Sequence, residues 1–204
     1  MRRDRYAANW VITILLAGLC MSGAVRSQTA PVQGKFVNIS APANLAPTRK
    51  LSCIDLSDVK STYTPPDVYT AIRACLAKGD YDRAAMLFPL AGVYAHFDAF
   101  RITDQTARDG GQILIMQTFA TMPPDQKQAF KQALNAVISD PKKHADFCSD
   151  VGKIGPPNYF PKYLIMHGMN AFLTPHPEQN ALVPNFDAQG TWAKLQTQYL
   201  QCVN

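Results

Sequence analysis

Apolar side chains after residue 65 recur every three or four positions, which is the period of an α-helix with one buried face. The buried positions predicted for the first helix are Val68, Ile72, Cys75 and Leu76. Pro66 and Asp67 suit its first turn, and Gly79 suits its carboxyl-terminal cap. No alternation typical of strands persists after residue 65. The pattern therefore predicts an all-α domain over residues 66–204, a compact bundle of about six to seven helices.

Helix-capping and helix-breaking residues divide this region into separate predicted helices. Asp80 begins a second helix, which contains Pro89 and is expected to kink or split there. A third helix is predicted from Thr103-Asp104 to Thr121, with a break or a tight packing contact at Gly110-Gly111. Two further helices are expected to begin near Pro123 and Asp140, because proline and aspartate favour the first turn.

The C-terminal part predicts a sixth helix over 163–172, a loop over 174–186 and a last helix capped by Asp187 or Thr191. One apolar stripe runs along this last helix and consists of Trp192, Leu195, Tyr199 and Cys202. Such a stripe predicts that this helix packs against the core.

The N-terminal 65 residues have a different pattern. Residues 1–27 combine three early arginines, a ten-residue apolar run and a group of small residues, which is typical of a cleaved signal peptide. Cleavage is expected after Ala24 or Ser27. An uncleaved N-terminal anchor is the alternative. Residues 28–65 are rich in proline and polar residues and predict an irregular leader, with one short strand over 35–39. No later segment is apolar enough to span a bilayer, so the mature chain is expected to be periplasmic or secreted.

The net charge of +5 is concentrated in the predicted signal. The chain has 20 basic and 15 acidic residues, and residues 1–27 hold four arginines and one aspartate. Removing them leaves 16 basic and 14 acidic residues, a net charge of +2. Because the remaining basic residues are also scattered, nucleic-acid binding is not expected.

Four cysteines remain after the predicted signal: Cys53, Cys75, Cys148 and Cys202. An even number in an exported chain predicts two disulfides, for which three connectivities are possible. We favour Cys53–Cys75, which closes a short loop, and Cys148–Cys202, which pins the last helix. Zinc binding is the alternative, but the sequence has no CxxC pair and no nearby HxxxH, so neither a metal nor another cofactor is expected.

The segment Gly79-Asp80-Tyr81-Asp82-Arg83-Ala84, with Phe88 and Ala91 after it, resembles the centre and second helix of a tetratricopeptide repeat. The resemblance covers residues 66–98 and implies a helical hairpin that binds peptides or proteins. Val68, Ile72 and Cys75 depart from the family pattern in the first helix, and no second copy is present. Because stable arrays need about three repeats, a generic antiparallel hairpin is the alternative.

The sequence contains no convergent set of catalytic residues such as GxSxG, HExxH or a phosphate-binding glycine loop. General acid–base catalysis would need a histidine beside an aspartate. The possible pairs are His96 with Asp98 or Asp104, and His167 with Asp146 or Asp150. A glycosidase is not expected, because the only glutamate, Glu178, lies in a predicted loop.

Aromatic residues and methionine are concentrated in two segments, 155–170 and 94–100, and such residues are enriched at binding surfaces. The expected contact residues are Tyr159, Phe160, Tyr163, His167, Tyr94, His96 and Phe97. They would be core residues if these helices are buried. The sequence thus predicts a non-catalytic exported protein that binds another protein in the bacterial cell envelope. An immunity protein against a toxin delivered to the periplasm is a narrower version, and a periplasmic enzyme with a His/Asp pair is the alternative class.

Overall fold

The computed structural model describes residues 40–202, and every structural statement below concerns that part of the chain. The predicted signal over 1–27, the short strand over 35–39 and most of the first half of the leader lie outside the described residues. The described part is an all-α bundle of eight helices: α1 Pro65–Leu76, α2 Tyr81–Arg101, α3 Gly110–Phe119, α4 Pro124–Ser139, α5 Pro141–Ile154, α6 Lys162–Ile165, α7 Asn170–Leu173 and α8 Ala188–Gln198.

Helices α1 and α2 form the predicted hairpin. Thr64 and Asp67 make a reciprocal capping box at the start of α1, and the Asp80 carboxylate accepts the Arg83 N–H at the start of α2. Gly79 between them has a φ of 72°, a conformation that glycine adopts without a steric penalty. Helix α2 lies at the centre of the bundle, where it contacts α1, α3, α4 and α8.

The structure differs from the predicted helix boundaries at Pro89 and at Asp104. Helix α2 continues through Pro89 from residue 81 to residue 101, so it is not split. The third helix begins at Gly110 and not at Asp104, which instead caps a 3-10 turn over Gln105–Ala107. Gly110 also lies in a close contact between α3 and α6. A Cβ atom there would lie 2.5 Å from Leu164 Cδ1 and 3.0 Å from Leu45 Cδ2, so a larger residue would require these buried side chains to move.

The predicted sixth helix over 163–172 is two separate four-residue helices, α6 and α7. Gly168 lies between them, and a Cβ atom at this position would collide with the Asp104 carboxylate. The close contact with the loop after α2 therefore holds the turn in place. The predicted all-α bundle is confirmed, with eight helices within residues 40–202. The last helix begins where Asp187 caps it, as predicted, and buries Trp192 and Leu195.

Both favoured disulfides are confirmed. Cys53–Cys75 has an S–S distance of 2.09 Å and Cys148–Cys202 one of 2.04 Å. The first ties the irregular segment before α1 to that helix. The buried Asp67 carboxylate reinforces the attachment by accepting the backbone N–H groups of Thr48 and Arg49 at 2.7 and 2.9 Å.

Within residues 40–202, no helix is both long and apolar enough to cross a bilayer.

Candidate functional site

The residues predicted as a contact surface separate into buried and accessible groups. Tyr94, Phe97 and Tyr163 are at most 2% exposed, so they belong to the core and cannot form part of a contact surface. The Tyr94 hydroxyl, for example, donates to the Gly155 carbonyl at 2.8 Å. Tyr159 and His167 are half-buried.

The accessible members are Phe160 and His96. Phe160 is 43% exposed at the start of the segment that leads into α6. His96 reaches the surface on α2, but its ring lies 4.5 Å from that of Tyr199 and is buried on that side. These two residues are the ones that remain available to a partner.

The buried tyrosines surround a carboxylate inside the bundle. Asp98 is fully buried, and its Oδ2 accepts the hydroxyls of Tyr159 at 2.9 Å and Tyr163 at 2.7 Å. Its Oδ1 lies 2.8 Å from Arg101 Nε and 2.6 Å from Nη2. Burial raises the pKa of Asp98 above its ordinary value, and Arg101, Tyr163 and Tyr159 oppose that rise. Arg101 Nη2 has no hydrogen-bond partner among the described residues, so its contact with Asp98 is an ion pair. This pair and the two tyrosine hydroxyls hold the carboxylate inside the bundle.

Arg101 is held in this network by aromatic rings as well as by charge. Its guanidinium carbon lies 5.3 Å from the Phe97 ring centroid and 5.1 Å from that of Tyr159. Cation–π contacts of this kind orient the guanidinium toward Asp98. Tyr159 lies just before α6, and Tyr163 lies within its first turn. The network therefore fixes the position of the segment that leads from the core into α6.

An exposed apolar turn follows α6, and we call Met169, Phe172 and Leu173 the apolar ridge. Their exposed fractions are 51%, 44% and 70%. They are spaced at i, i+3 and i+4 around α7, so they lie on one face of it. Contiguous exposed apolar side chains, in contrast to single ones, are the kind of surface feature that marks contact sites.

Side chains from another part of the chain hold the backbone of the ridge. Thr106 Oγ1 accepts the Met169 N–H at 2.8 Å, and Asp104 Oδ2 accepts the Asn170 N–H at 2.9 Å. These bonds satisfy two donors at the start of α7 that a helix leaves unpaired. The ridge is therefore anchored to the turn after α2, although its side chains face solvent.

A cavity of about 270 Å³ lies beside the ridge. Asn170 of α7 lines it, and the segment after α7 contributes Thr174, His176 and Asn180. The cavity places polar groups next to the apolar face of α7. An apolar centre beside polar groups is the usual arrangement of a protein–protein interface.

The histidines do not form acid–base pairs in the described part of the chain. His167 Nδ1 lies 2.9 Å from the Asn44 side-chain oxygen, and His144 Nε2 lies 3.0 Å from the Leu200 carbonyl. Within residues 40–202 no histidine is hydrogen bonded to a carboxylate. Burial lowers the pKa of both His96 and His167 below the ordinary value, which favours neutral imidazoles.

A second groove, of about 450 Å³, lies where α2 and α5 meet the 3-10 turn over Leu56–Asp58. Its aspartates are Asp55, Asp80, Asp82, Asp146 and Asp150. Each has a basic side chain within 4 Å, and Arg83 alone pairs with both Asp55 at 2.7 Å and Asp80 at 3.0 Å. The groove is therefore charge-compensated.

Phe172 lies within the helix predicted over 163–172, and the sequence pattern does not single out Leu173. Gly168 is the sequence signal that could have predicted the exposure of Phe172 and Leu173. If the helix is broken at Gly168, the face of α6 that is buried does not continue along α7, and residues of α7 can face solvent. Comparisons of this chain with models of known families, with curated proteins and with solved structures find no match.

Proposed function

We propose that this protein is an exported, non-catalytic helical protein that binds another protein in the bacterial cell envelope through the apolar ridge. The observation that carries the proposal is an exposed apolar turn whose backbone is anchored by Asp104 and Thr106. A turn that is already ordered loses less conformational entropy on binding than a free loop would. The ridge is thus suited to contact a partner.

The chemistry of the ridge supports a protein partner. Phenylalanine and methionine are enriched at the centres of interfaces, and the polar cavity beside them provides groups for a rim. Phe160 on the preceding segment is a further exposed aromatic residue, though it is not part of the ridge as defined. Full burial of an exposed side chain of this size contributes about 1.5–3 kcal/mol. Phe172 and Leu173 are 44% and 70% exposed, so a partner would gain that fraction of it from each.

Location outside the cytosol is part of the same proposal. Residues 1–27 have the pattern of a cleaved signal, and the two disulfides are compatible with an oxidising compartment. We place the mature protein in the periplasm or outside the cell. An immunity protein is the narrower version of this function, and it requires that the partner is a toxin.

Site-specific photo-crosslinking in living cells tests the proposal. A photoreactive phenylalanine analogue replaces Phe172 on the ridge, or the exposed Gln128 on α4 as a matched control. We expect one crosslinked product of defined mass at position 172 and none at position 128. Adding Asp104→Ala should lower the yield at position 172, because the anchoring of the ridge is lost.

Mass spectrometry of the crosslinked product then identifies the partner. A toxin would support the immunity version, whereas an envelope component would support the general one. No product at position 172, or the same products at both positions, would contradict binding through the ridge.

A further inference from the structure

One turn of α5 places His144 and Cys148 on the same face, and the segment after α8 brings Cys202 to that face. His144 Nε2 lies 3.8 Å from Cys148 Sγ. The three ligand-type atoms all lie within 4.8 Å of one another, and Cys148 and Cys202 are joined as a disulfide. One imidazole nitrogen and two sulfur atoms therefore converge from two separate segments of the chain.

We propose that this cluster is a redox-gated metal site, which binds Zn²⁺ through His144, Cys148 and Cys202 when the disulfide is reduced. An external dithiol supplies two electrons and two protons, so that the S–S bond breaks, two thiols form and the dithiol becomes a disulfide. Each thiol then releases its proton to solvent as its sulfur binds the cation. Histidine with two cysteines is a ligand set that zinc accepts, with a fourth position open.

The positions of the ligand atoms suit a tetrahedral cation. Zn–S and Zn–N bonds of about 2.3 and 2.0–2.1 Å place nitrogen and sulfur about 3.6 Å apart in a tetrahedral site. This is close to the 3.8 Å between His144 Nε2 and Cys148 Sγ. The main movement required is therefore separation of the two sulfur atoms. Cys202 lies in the segment beyond the last helix, and because its backbone N–H donates to the Gln196 carbonyl of α8, its side chain is the part that must turn.

Access to the cluster is available from one side. A cavity of about 550 Å³ borders His144, Cys148 and Cys202, with Ser149 and Gln196 in its lining. It has room for the entering cation and for a water molecule as the fourth ligand. His144 Nε2 lies 3.0 Å from the Leu200 carbonyl in the oxidised state, and metal binding would replace that hydrogen bond.

The second disulfide provides an internal contrast. Arg83 Nη1 lies 3.4 Å from Cys53 Sγ, so a fixed positive charge stands beside the Cys53–Cys75 pair. Arg83 is also paired with Asp55 and Asp80, so the contrast between the two disulfides rests on the histidine and not on this charge. Among the described residues, no histidine joins these two cysteines in a group of three ligands. Reduction should therefore create a metal site at one disulfide and not at the other.

Cobalt titration tests the proposal, because Co²⁺ replaces Zn²⁺ in such sites and thiolate ligands give it an intense charge-transfer band. The purified full protein is reduced with a phosphine, which supplies the electrons without competing for metal, and is then titrated anaerobically. We expect one Co²⁺ per chain after reduction and none before it. His144→Asn should weaken binding about tenfold or more, while C53S/C75S, the matched control, should bind as the parent does.

Circular dichroism of each reduced sample accompanies the titration. The site needs α5 and the C-terminal segment in place, so loss of the fold on reduction would contradict the proposal. No thiolate band, a band unchanged by His144→Asn, or a band lost in C53S/C75S would each overturn it.

Discussion

The Asp104 carboxylate accepts the backbone N–H of Asn170 at 2.9 Å, which joins the turn after α2 to the first residue of α7. The same carboxylate accepts the N–H and hydroxyl of Thr106, whose hydroxyl in turn holds Met169. One side chain therefore organises both anchors of the apolar ridge. Asp104→Ala is expected to lower the free energy of unfolding by about 0.5–2 kcal/mol, because these donors lose a charged acceptor and are left to water.

Hydrogen exchange distinguishes this local effect from general destabilisation. In Asp104→Ala, the amides of Met169 and Asn170 should exchange faster, while those at the centre of α2 should lose protection only as far as global stability falls. Asp125→Ala removes an exposed aspartate from α4 and is the control, expected to change stability by no more than about 0.5 kcal/mol. Unchanged protection at residues 169 and 170 would show that Asp104 does not anchor the ridge.

The buried Asp98–Arg101 pair predicts a larger effect on stability. Asp98→Asn would leave the Arg101 guanidinium, whose side chain is only 11% exposed, without its anionic partner. Breaking a buried pair on one side costs about 3–5 kcal/mol. Urea denaturation should show this loss, and Asp125→Asn on the surface should show almost none. A cost below about 1 kcal/mol would mean that the network does not fix the segment leading into α6.

Two helical glycines predict effects of opposite sign. Gly110→Ala would place a Cβ atom 2.5 Å from Leu164 and should destabilise the protein by about 1–3 kcal/mol. Gly152 in α5 has no atom within 4 Å of such a Cβ, so Gly152→Ala should stabilise by about 0.5–1 kcal/mol through helix propensity. Thermal and urea unfolding of both variants measure the difference. Equal effects of the two substitutions would contradict the close contact between α3 and α6.

His96 and His167 predict that the free energy of unfolding depends on pH. Burial lowers the pKa of His96 and His167 in the folded state below the value of about 6.5 in the unfolded chain. The unfolded state then binds more protons, so the stability from these residues is present above about pH 6.5 and is lost as the pH falls through the folded pKa.

The variant His96→Gln/His167→Gln isolates this contribution. Between about pH 7.5 and 5.5 its free energy of unfolding should fall less than that of the parent protein, when both are measured by urea denaturation. Parallel curves for the two proteins would contradict the lowered pKa values.

The start of α8 was predictable because its signal is local: Asp187 stands directly before that helix. The disulfides were predictable from the even number of cysteines, although Cys148 and Cys202 are 54 positions apart. The predicted apolar stripe holds for Trp192 and Leu195 only, because α8 ends at Gln198 and Tyr199 is exposed.

Helix number was less predictable near Gly168, because the break between α6 and α7 depends on Asp104, which is distant in sequence. The periodic pattern over 163–172 gives no information about the contact between Gly168 and Asp104.

The contact surface was only partly predictable for a related reason. Tyr163 and Phe160 are both aromatic residues in one segment, yet the first is buried against Asp98 and the second is exposed. Aromatic composition does not distinguish these outcomes. Asp98 was considered only as a partner of His96, whereas its partners Tyr159 and Tyr163 lie more than 60 positions further along the chain.

Export with both disulfides formed is the central claim, since an envelope partner presupposes it. Intact-mass spectrometry of the protein recovered from a periplasmic fraction, with thiol alkylation before and after reduction, tests it most directly. The account predicts a chain that begins after Ala24 or Ser27 and has no alkylated cysteine until it is reduced. A chain recovered only from the cytosol, beginning at Met1 and carrying free thiols at Cys53, Cys75, Cys148 and Cys202, would contradict it.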